Sequence, residues 1–100
     1  MPRPRGKPSE TPESRRDRIL REIRGIPEGF VRTYGDIDPK APRMVGQILS
    51  TTDDKDLPWH RVVRGDGTVV KGARQLNRLR REGVPIRGDR VVLHEARLGP

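Results

Sequence analysis

Ala41-Pro42-Arg43-Met44-Val45-Gly46-Gln47-Ile48-Leu49-Ser50 is the stretch whose reading decides the fold. Ala41, Met44, Val45, Ile48 and Leu49 recur at the spacing that lines one side of a helix with apolar atoms, and Arg43, Gln47 and Ser50 fall on the other side. Pro42 suits the first turn of that helix, where its missing N–H costs nothing. Just upstream, Thr33 can cap a helical turn beginning at Tyr34, with Asp36 three residues on to complete a capping box. Asp38-Pro39-Lys40-Ala41-Pro42 then cuts that turn short. A short helix, a tight turn and a second helix presenting Arg and Gln outward form the outline of a helix-turn-helix, whose second helix meets DNA. A small helical subdomain with a solvated polar face fits the same pattern.

Outward from this pair, short apolar runs alternate with Pro and Gly. Residues 1–10 are Pro-rich and basic and have nothing to bury, so a disordered arm is expected. Thr11-Pro12-Glu13 supplies a cap, a proline for the first helical position and an acid in the first turn, which predicts a helix to about Arg24. Ile19, Leu20 and Ile23 form its inner face and Gly25 ends it. Ile26-Pro27-Glu28-Gly29-Phe30-Val31 reads as a turn into a short β segment. Val62-Val63, the turn Gly65-Asp66-Gly67 and Val69-Val70 carry the pattern of a β-hairpin. Arg74 to Glu82 is expected to be the last helix, with Leu76 and Leu79 inward and Gly83 closing it. A final short strand at residues 88–93 and a frayed tail at 96–100 complete the reading. The expectation is one domain over residues 11–95, mainly α with a short β-hairpin, of winged helix-turn-helix type.

The composition narrows the classes of function. A chain of 100 residues supports a modest core. It has no cysteine, which excludes disulfides, thiolate metal sites and a thiol nucleophile. No apolar run approaches the ~18 residues of a membrane span, and no apolar signal segment opens the chain, so a cytoplasmic protein without membrane contact is expected. Neither a phosphate-binding loop nor metal-ligand spacing occurs, and no cofactor is expected. Lys and Arg number 22 against 14 Asp and Glu, a net charge of +8 that favours a polyanionic partner, with nucleic acid first among them.

Pro58-Trp59-His60-Arg61-Val62-Val63 is the second stretch of weight. It holds the only Trp and one of two His in a chain with 3% aromatic residues. A core aromatic beside a polar strand-edge residue is the plain reading. The surrounding sequence gives another: Ile26-Pro27-Glu28-Gly29, Thr33-Tyr34-Gly35, Arg43-Met44-Val45-Gly46, this hexapeptide and Arg81-Glu82-Gly83-Val84 occur in order and near-matching spacing. Together, over residues 14–86, they resemble the C-terminal domain of O6-alkylguanine-DNA alkyltransferases. Those enzymes carry Pro-Cys-His-Arg. The form with Trp at the cysteine position is similar to the alkyltransferase-like proteins.

The resemblance implies roles for named residues. The residue matching Tyr34 helps push a nucleotide out of the duplex, the one matching Arg43 enters the base stack in its place, and the small residue matching Gly46 lets the helix approach the minor groove. Met44 and Gln47 flank them in the implied DNA-binding set. Trp59, Tyr34, His60, Arg61 and Val62 form the implied lesion pocket. His60 and Glu82 match a water-linked pair that activates the cysteine, and without a thiol they are read as structural. An indole N–H is a donor with no nucleophilic lone pair, so no alkyl transfer is expected at Trp59.

Three departures stand out: the segment between Tyr34 and Arg43 is several residues short, an asparagine expected near Thr51 or Thr52 is missing, and the N-terminal domain of larger members has no match. The implied function is a non-enzymatic sensor, acting as a monomer, that binds double-stranded DNA containing O6-alkylguanine, flips the base and hands it to nucleotide excision repair proteins. A regulatory helix-turn-helix protein that reads sequence is the alternative.

Overall fold

The computed structural model describes residues 13–99. The arm expected at residues 1–10 and the cap expected at Thr11 lie outside them. In chain order the elements are α1 (Arg15–Arg24), β1 (Arg32–Thr33), α2 (Tyr34–Ile37), α3 (Pro42–Thr51), a 3₁₀ turn (Trp59–Arg61), β2 (Val62–Val63), α4 (Gly72–Arg81), β3 (Ile86–Arg87), β4 (Arg90–Val91) and α5 (Leu93–Ala96). Ser14 caps α1, its hydroxyl accepting from the Asp17 N–H at 3.0 Å. Thr33 and Asp36 close the expected capping box at the head of α2.

Helices α2 and α3 make the helix-turn-helix, and α2 is a single turn. The turn between them is built on Asp38, which is 2% exposed and accepts the N–H groups of Lys40 and Ala41 through one carboxylate oxygen while Arg18 of α1 donates to the other at 3.2 Å. Ala41 has no side chain to cap α3. The neighbouring carboxylate supplies acceptors there, which is how the segment can be so short.

Two apolar clusters form the interior. Ile19, Ile23, Ile26, Ile37, Val45, Ile48, Leu57 and Val62 join α1 to the helix-turn-helix. Val31, Val63, Leu79, Val84, Val91 and Ala96 join α4 to the C-terminal segment. Between them lies a two-stranded parallel pair, Arg32 opposite Val62 and Thr33 opposite Val63. Successive strand residues point to opposite faces, so Val62 enters the first cluster and Val63 the second.

This pairing corrects the hairpin expected at residues 62–70. The turn itself forms, with Arg64 and Thr68 joined N–H to O at 2.9 Å, but Val62-Val63 pairs with β1 and the chain beyond Thr68 leaves for α4. The hairpin that is present lies later, where Ile86 faces Val91 and Arg87 faces Arg90 across Gly88-Asp89. Gly88 takes φ +65°, the glycine-first geometry of a tight two-residue loop. This hairpin is the wing. The β segment expected at Phe30-Val31 begins two residues later, at Arg32, leaving Phe30 42% exposed.

Residues 96–98 are held, contrary to the frayed tail expected over 96–100. Ala96 is fully buried, the Leu98 N–H donates to the Val31 carbonyl at 2.8 Å, and the Arg97 guanidinium grips both oxygens of Asp36 at 2.6 and 2.9 Å. The last helix is consequently α5 rather than α4.

Gly67 offers a direct test of this packing. It sits at φ +88° and an added Cβ would lie 2.5 Å from the Val91 carbonyl oxygen, whereas a Cβ on Gly65 would meet nothing within 4 Å. Gly67→Ala should therefore lower the unfolding free energy by well over ~1 kcal/mol, and the midpoint with it, with Gly65→Ala near neutral. Equal midpoints in chemical denaturation would refute the close approach of turn and wing.

Candidate nucleic-acid interface

The 3₁₀ turn sets three side chains roughly a third of a rotation apart. Trp59 is half-buried and faces a cavity, His60 turns inward at 4% exposure, and Arg61 reaches toward the end of α4. Pro58 and the buried Leu57 fix the entry to this turn, and the Trp59 N–H donates to the Leu57 carbonyl at 2.7 Å.

The cavity measures about 430 Å³, within the ~300–1,000 Å³ of small-molecule sites. Tyr34 of α2, Arg43, Gly46 and Leu49 of α3, and Trp59 form much of its wall. Val70, Lys71 and Gln75 close the far side. The structure thus brings Tyr34, Arg43, Gly46 and Trp59 together around one space. Tyr34 packs against the first apolar cluster, and burial raises the titration of its phenol above the ordinary range. It is a half-buried wall residue, not a free side chain.

Gly46 has no steric reason within the chain to lack a side chain. A Cβ there would come no closer than 3.9 Å to Tyr34 Cε1, ordinary contact. Glycine inside a helix costs ~1 kcal/mol relative to Ala, and this one lines the cavity wall. Gln47 lies exposed on the same helix, and Met44 turns partly into the first cluster.

His60, Arg61 and Val62 do not line this cavity. Val62 is fully buried in the first apolar cluster, and His60 and Arg61 belong to a separate cluster around Glu82. The Arg61 guanidinium donates to both Glu82 oxygens at 2.9 and 2.8 Å and to the Ile26 carbonyl at 2.8 Å. His60 Nε2 lies 2.7 Å from Glu82 Oε2, and the Gly29 N–H donates weakly at 3.4 Å. Burial alone would raise the Glu82 carboxyl, but the hydrogen bonds from Arg61 and His60 outweigh it and hold it at about 2. Burial also opposes the imidazolium of His60 and keeps its titration below the ordinary range despite Glu82. At neutral pH a neutral His60 donates from Nε2, and its buried Nδ1 has no partner among the described residues.

Two groups of cations differ in their partners. Arg18, Arg21, Arg24, Arg32, Arg61 and Arg97 each meet a carboxylate. Around the cavity, Arg43, Arg64, Lys71, Arg74 and Arg78 form no salt bridge among the described residues. Arg74 and Arg78 stand over the Trp59 ring at 5.1 and 5.5 Å from its centroid, in cation–π range. The sequence reading gave no site role to Arg64, Lys71, Arg74, Arg78, Leu49, Val70 or Gln75. Of these only Arg74 and Arg78 had a legible signal, one helical turn apart on an arginine-rich helix.

The chain matches the model of the 6-O-methylguanine DNA methyltransferase DNA-binding domain over residues 14–84. The Escherichia coli K12 protein named DNA base-flipping protein is 37% identical over 95 residues, covering 85% of this chain and 74% of that one. Alkyltransferase-like protein 1 of Schizosaccharomyces pombe is 40% identical over 73 residues, covering 61% and 68%. The crystal structure of S. pombe Atl1 in complex with damaged DNA containing O6-carboxymethylguanine superposes with a TM-score of 0.74 at 30% identity, over 86% of this chain and 95% of that one.

The Glu82 cluster makes an acid-stability prediction. A carboxylate depressed from 4.5 to about 2 contributes stability that is complete above pH 4.5 and is lost as pH falls toward 2. Asp36, also held at about 2, first by Arg97, titrates over a similar range. Glu82→Gln should lower stability at neutral pH by at most ~3 kcal/mol and flatten part of the acid limb. Urea titrations at neutral and acid pH that give parallel losses for both proteins would contradict it.

Proposed function

Because the chain belongs to the 6-O-methylguanine DNA methyltransferase DNA-binding domain family, in its alkyltransferase-like form, we propose that it is a non-enzymatic sensor of O6-alkylguanine in duplex DNA. The observation that carries this reading is the cavity walled by Tyr34, Arg43, Gly46 and Trp59 and rimmed by cations without carboxylate partners. In this reading α3 enters the minor groove, with Gly46 permitting close approach and Met44 and Gln47 beside it. Tyr34 presses on the nucleotide, Arg43 fills the gap in the base stack, and the flipped base lies against Trp59. Unstacking costs a few kcal/mol, less for a damaged base, and stacking on an aromatic ring returns ~1–3 kcal/mol.

No alkyl transfer is part of the proposal. Position 59 carries an indole, and the His60 and Glu82 pair is engaged with Arg61 in joining segments. The relative named for base flipping and the neighbour solved with damaged DNA support the damage-binding part. Handing the lesion to nucleotide excision repair, action as a monomer and a cytoplasmic site complete the proposal. The described helices include none long and apolar enough to cross a membrane.

The test compares one duplex with and without a single O6-methylguanine across a salt series. Total affinity should fall steeply with salt, since each neutralised phosphate releases counterions, while preference for the lesion persists. Equal binding of both duplexes at every salt concentration would favour a sequence-reading regulator instead. Arg43→Ala should lose lesion preference with little change in melting temperature, because Arg43 is exposed and without an ion pair. Arg43→Lys should recover only part, as an ammonium cannot stack. Tyr34→Phe is the informative change at position 34, since Tyr34→Ala would also remove packing against the first cluster.

A further inference from the structure

Gln75 is a neutral polar side chain only 2% exposed, set on the inner face of α4 beside Leu76 and Leu79. Its carboxamide is engaged at three points. Nε2 donates to the carbonyls of His60 at 3.1 Å and Val62 at 2.8 Å, and Oε1 accepts the Lys71 N–H at 3.1 Å. The two carbonyls lie in and just beyond the turn that carries Trp59. Lys71 precedes α4 as its cap residue and provides no side-chain cap of its own.

One side chain therefore joins three parts of the cavity wall: the Trp59 turn, the Val70-Lys71 strap, and the helix that sets Arg74 and Arg78 over the indole. The task needs two donors and one acceptor on a single planar group, the inventory of a carboxamide. An apolar residue of similar volume would fill the space and strand two carbonyls and an N–H. Packing alone does not account for glutamine at this position.

We propose that Gln75 is the positioning residue of the Trp59 cavity: its three hydrogen bonds fix the indole against α4, and discrimination of the damaged base depends on that placement. The proposal rests on the damage-sensing reading. Its first consequence is visible without DNA, because Trp59 is the only tryptophan and its fluorescence reports its own surroundings.

The experiment uses the whole chain with three substitutions. Gln75→Met keeps length and loses all three bonds; Gln75→Glu keeps the acceptor and loses both donors; Gln75→Lys keeps donors for the two carbonyls and loses the acceptor. Each is measured for melting temperature, Trp59 emission and collisional quenching, and affinity for one duplex with and without a single O6-methylguanine. In Gln75→Met and Gln75→Glu, Trp59 should become more quenchable and lesion preference should fall by roughly tenfold, the size of the two donated hydrogen bonds that both variants lose. In the neutral variant Gln75→Met, affinity for the undamaged duplex should stay within about twofold, since phosphate contacts come from other side chains. Gln75→Lys should recover a measurable part of both signals.

A folded Gln75→Met protein with unchanged quenching and unchanged lesion preference overturns the proposal. If that variant fails to fold, Gln75→Lys decides: folded with preference retained it supports the role, folded without preference it overturns it. If neither folds, Gln75 is a core element and the positioning role falls. Should the unsubstituted protein bind both duplexes equally, the damage-sensing reading fails by itself, and quenching alone then judges whether Gln75 places Trp59.

Discussion

The Glu82 carboxylate is taken out of water only because the fork of Arg61 meets both of its oxygens and His60 meets one of them. Removing a carboxylate from water is costly, and a partnered one lost from such a site leaves a charge uncompensated. That constraint places the end of α4, the Trp59 turn and the loop at Ile26 to Gly29 within one hydrogen-bonded unit. Trp59 is held at the cavity because its two following residues are anchored elsewhere. The cluster has this structural task whatever residue occupies position 59.

The same logic sets the middle of the molecule. Two short helices and a one-turn helix cannot bury much on their own, and a two-residue parallel pair is a weak ladder. The pairing of Arg32-Thr33 with Val62-Val63 gains its strength from what stands on either side of it, since Val62 and Val63 enter different apolar clusters. A slip by one residue would exchange the faces and spoil both clusters. Register is therefore fixed by burial.

Those facts decide what was legible. The α3 periodicity and the Thr33 and Asp36 box were readable because helix signals are local. The resemblance put Tyr34 and Trp59 in a pocket with His60, Arg61 and Val62, and gave Arg43 and Gly46 to the DNA-facing helix; in the fold it is Tyr34, Arg43, Gly46 and Trp59 that share one cavity. A 3₁₀ turn sends neighbours in different directions, and no composition rule states which. Val62-Val63 looked like a hairpin arm because an Asp-Gly turn follows it; its true partner lies thirty positions upstream, a pairing no local signal encodes. The tail at Ala96 to Leu98 was read as frayed for the same reason, its partners being Val31 and Asp36. Gln75 was invisible, since a buried amide has the sequence signature of a surface one.

Charge shows how a structure divides what composition merges. Eighteen arginines in a short chain carry no address by themselves. Asp38, Glu22, Glu82, Asp36 and Asp54 consume one set of guanidinium groups in joining helices, turns and tail. Of these the Arg24 and Asp54 pair is the most exposed, and a pair of that kind contributes ~1 kcal/mol or less. Arg43, Arg64, Arg74 and Arg78 form no salt bridge among the described residues, and a polyanion approaching the cavity meets them there. A formal charge of +8 spread evenly over the two halves of the sequence thereby becomes directional in the fold.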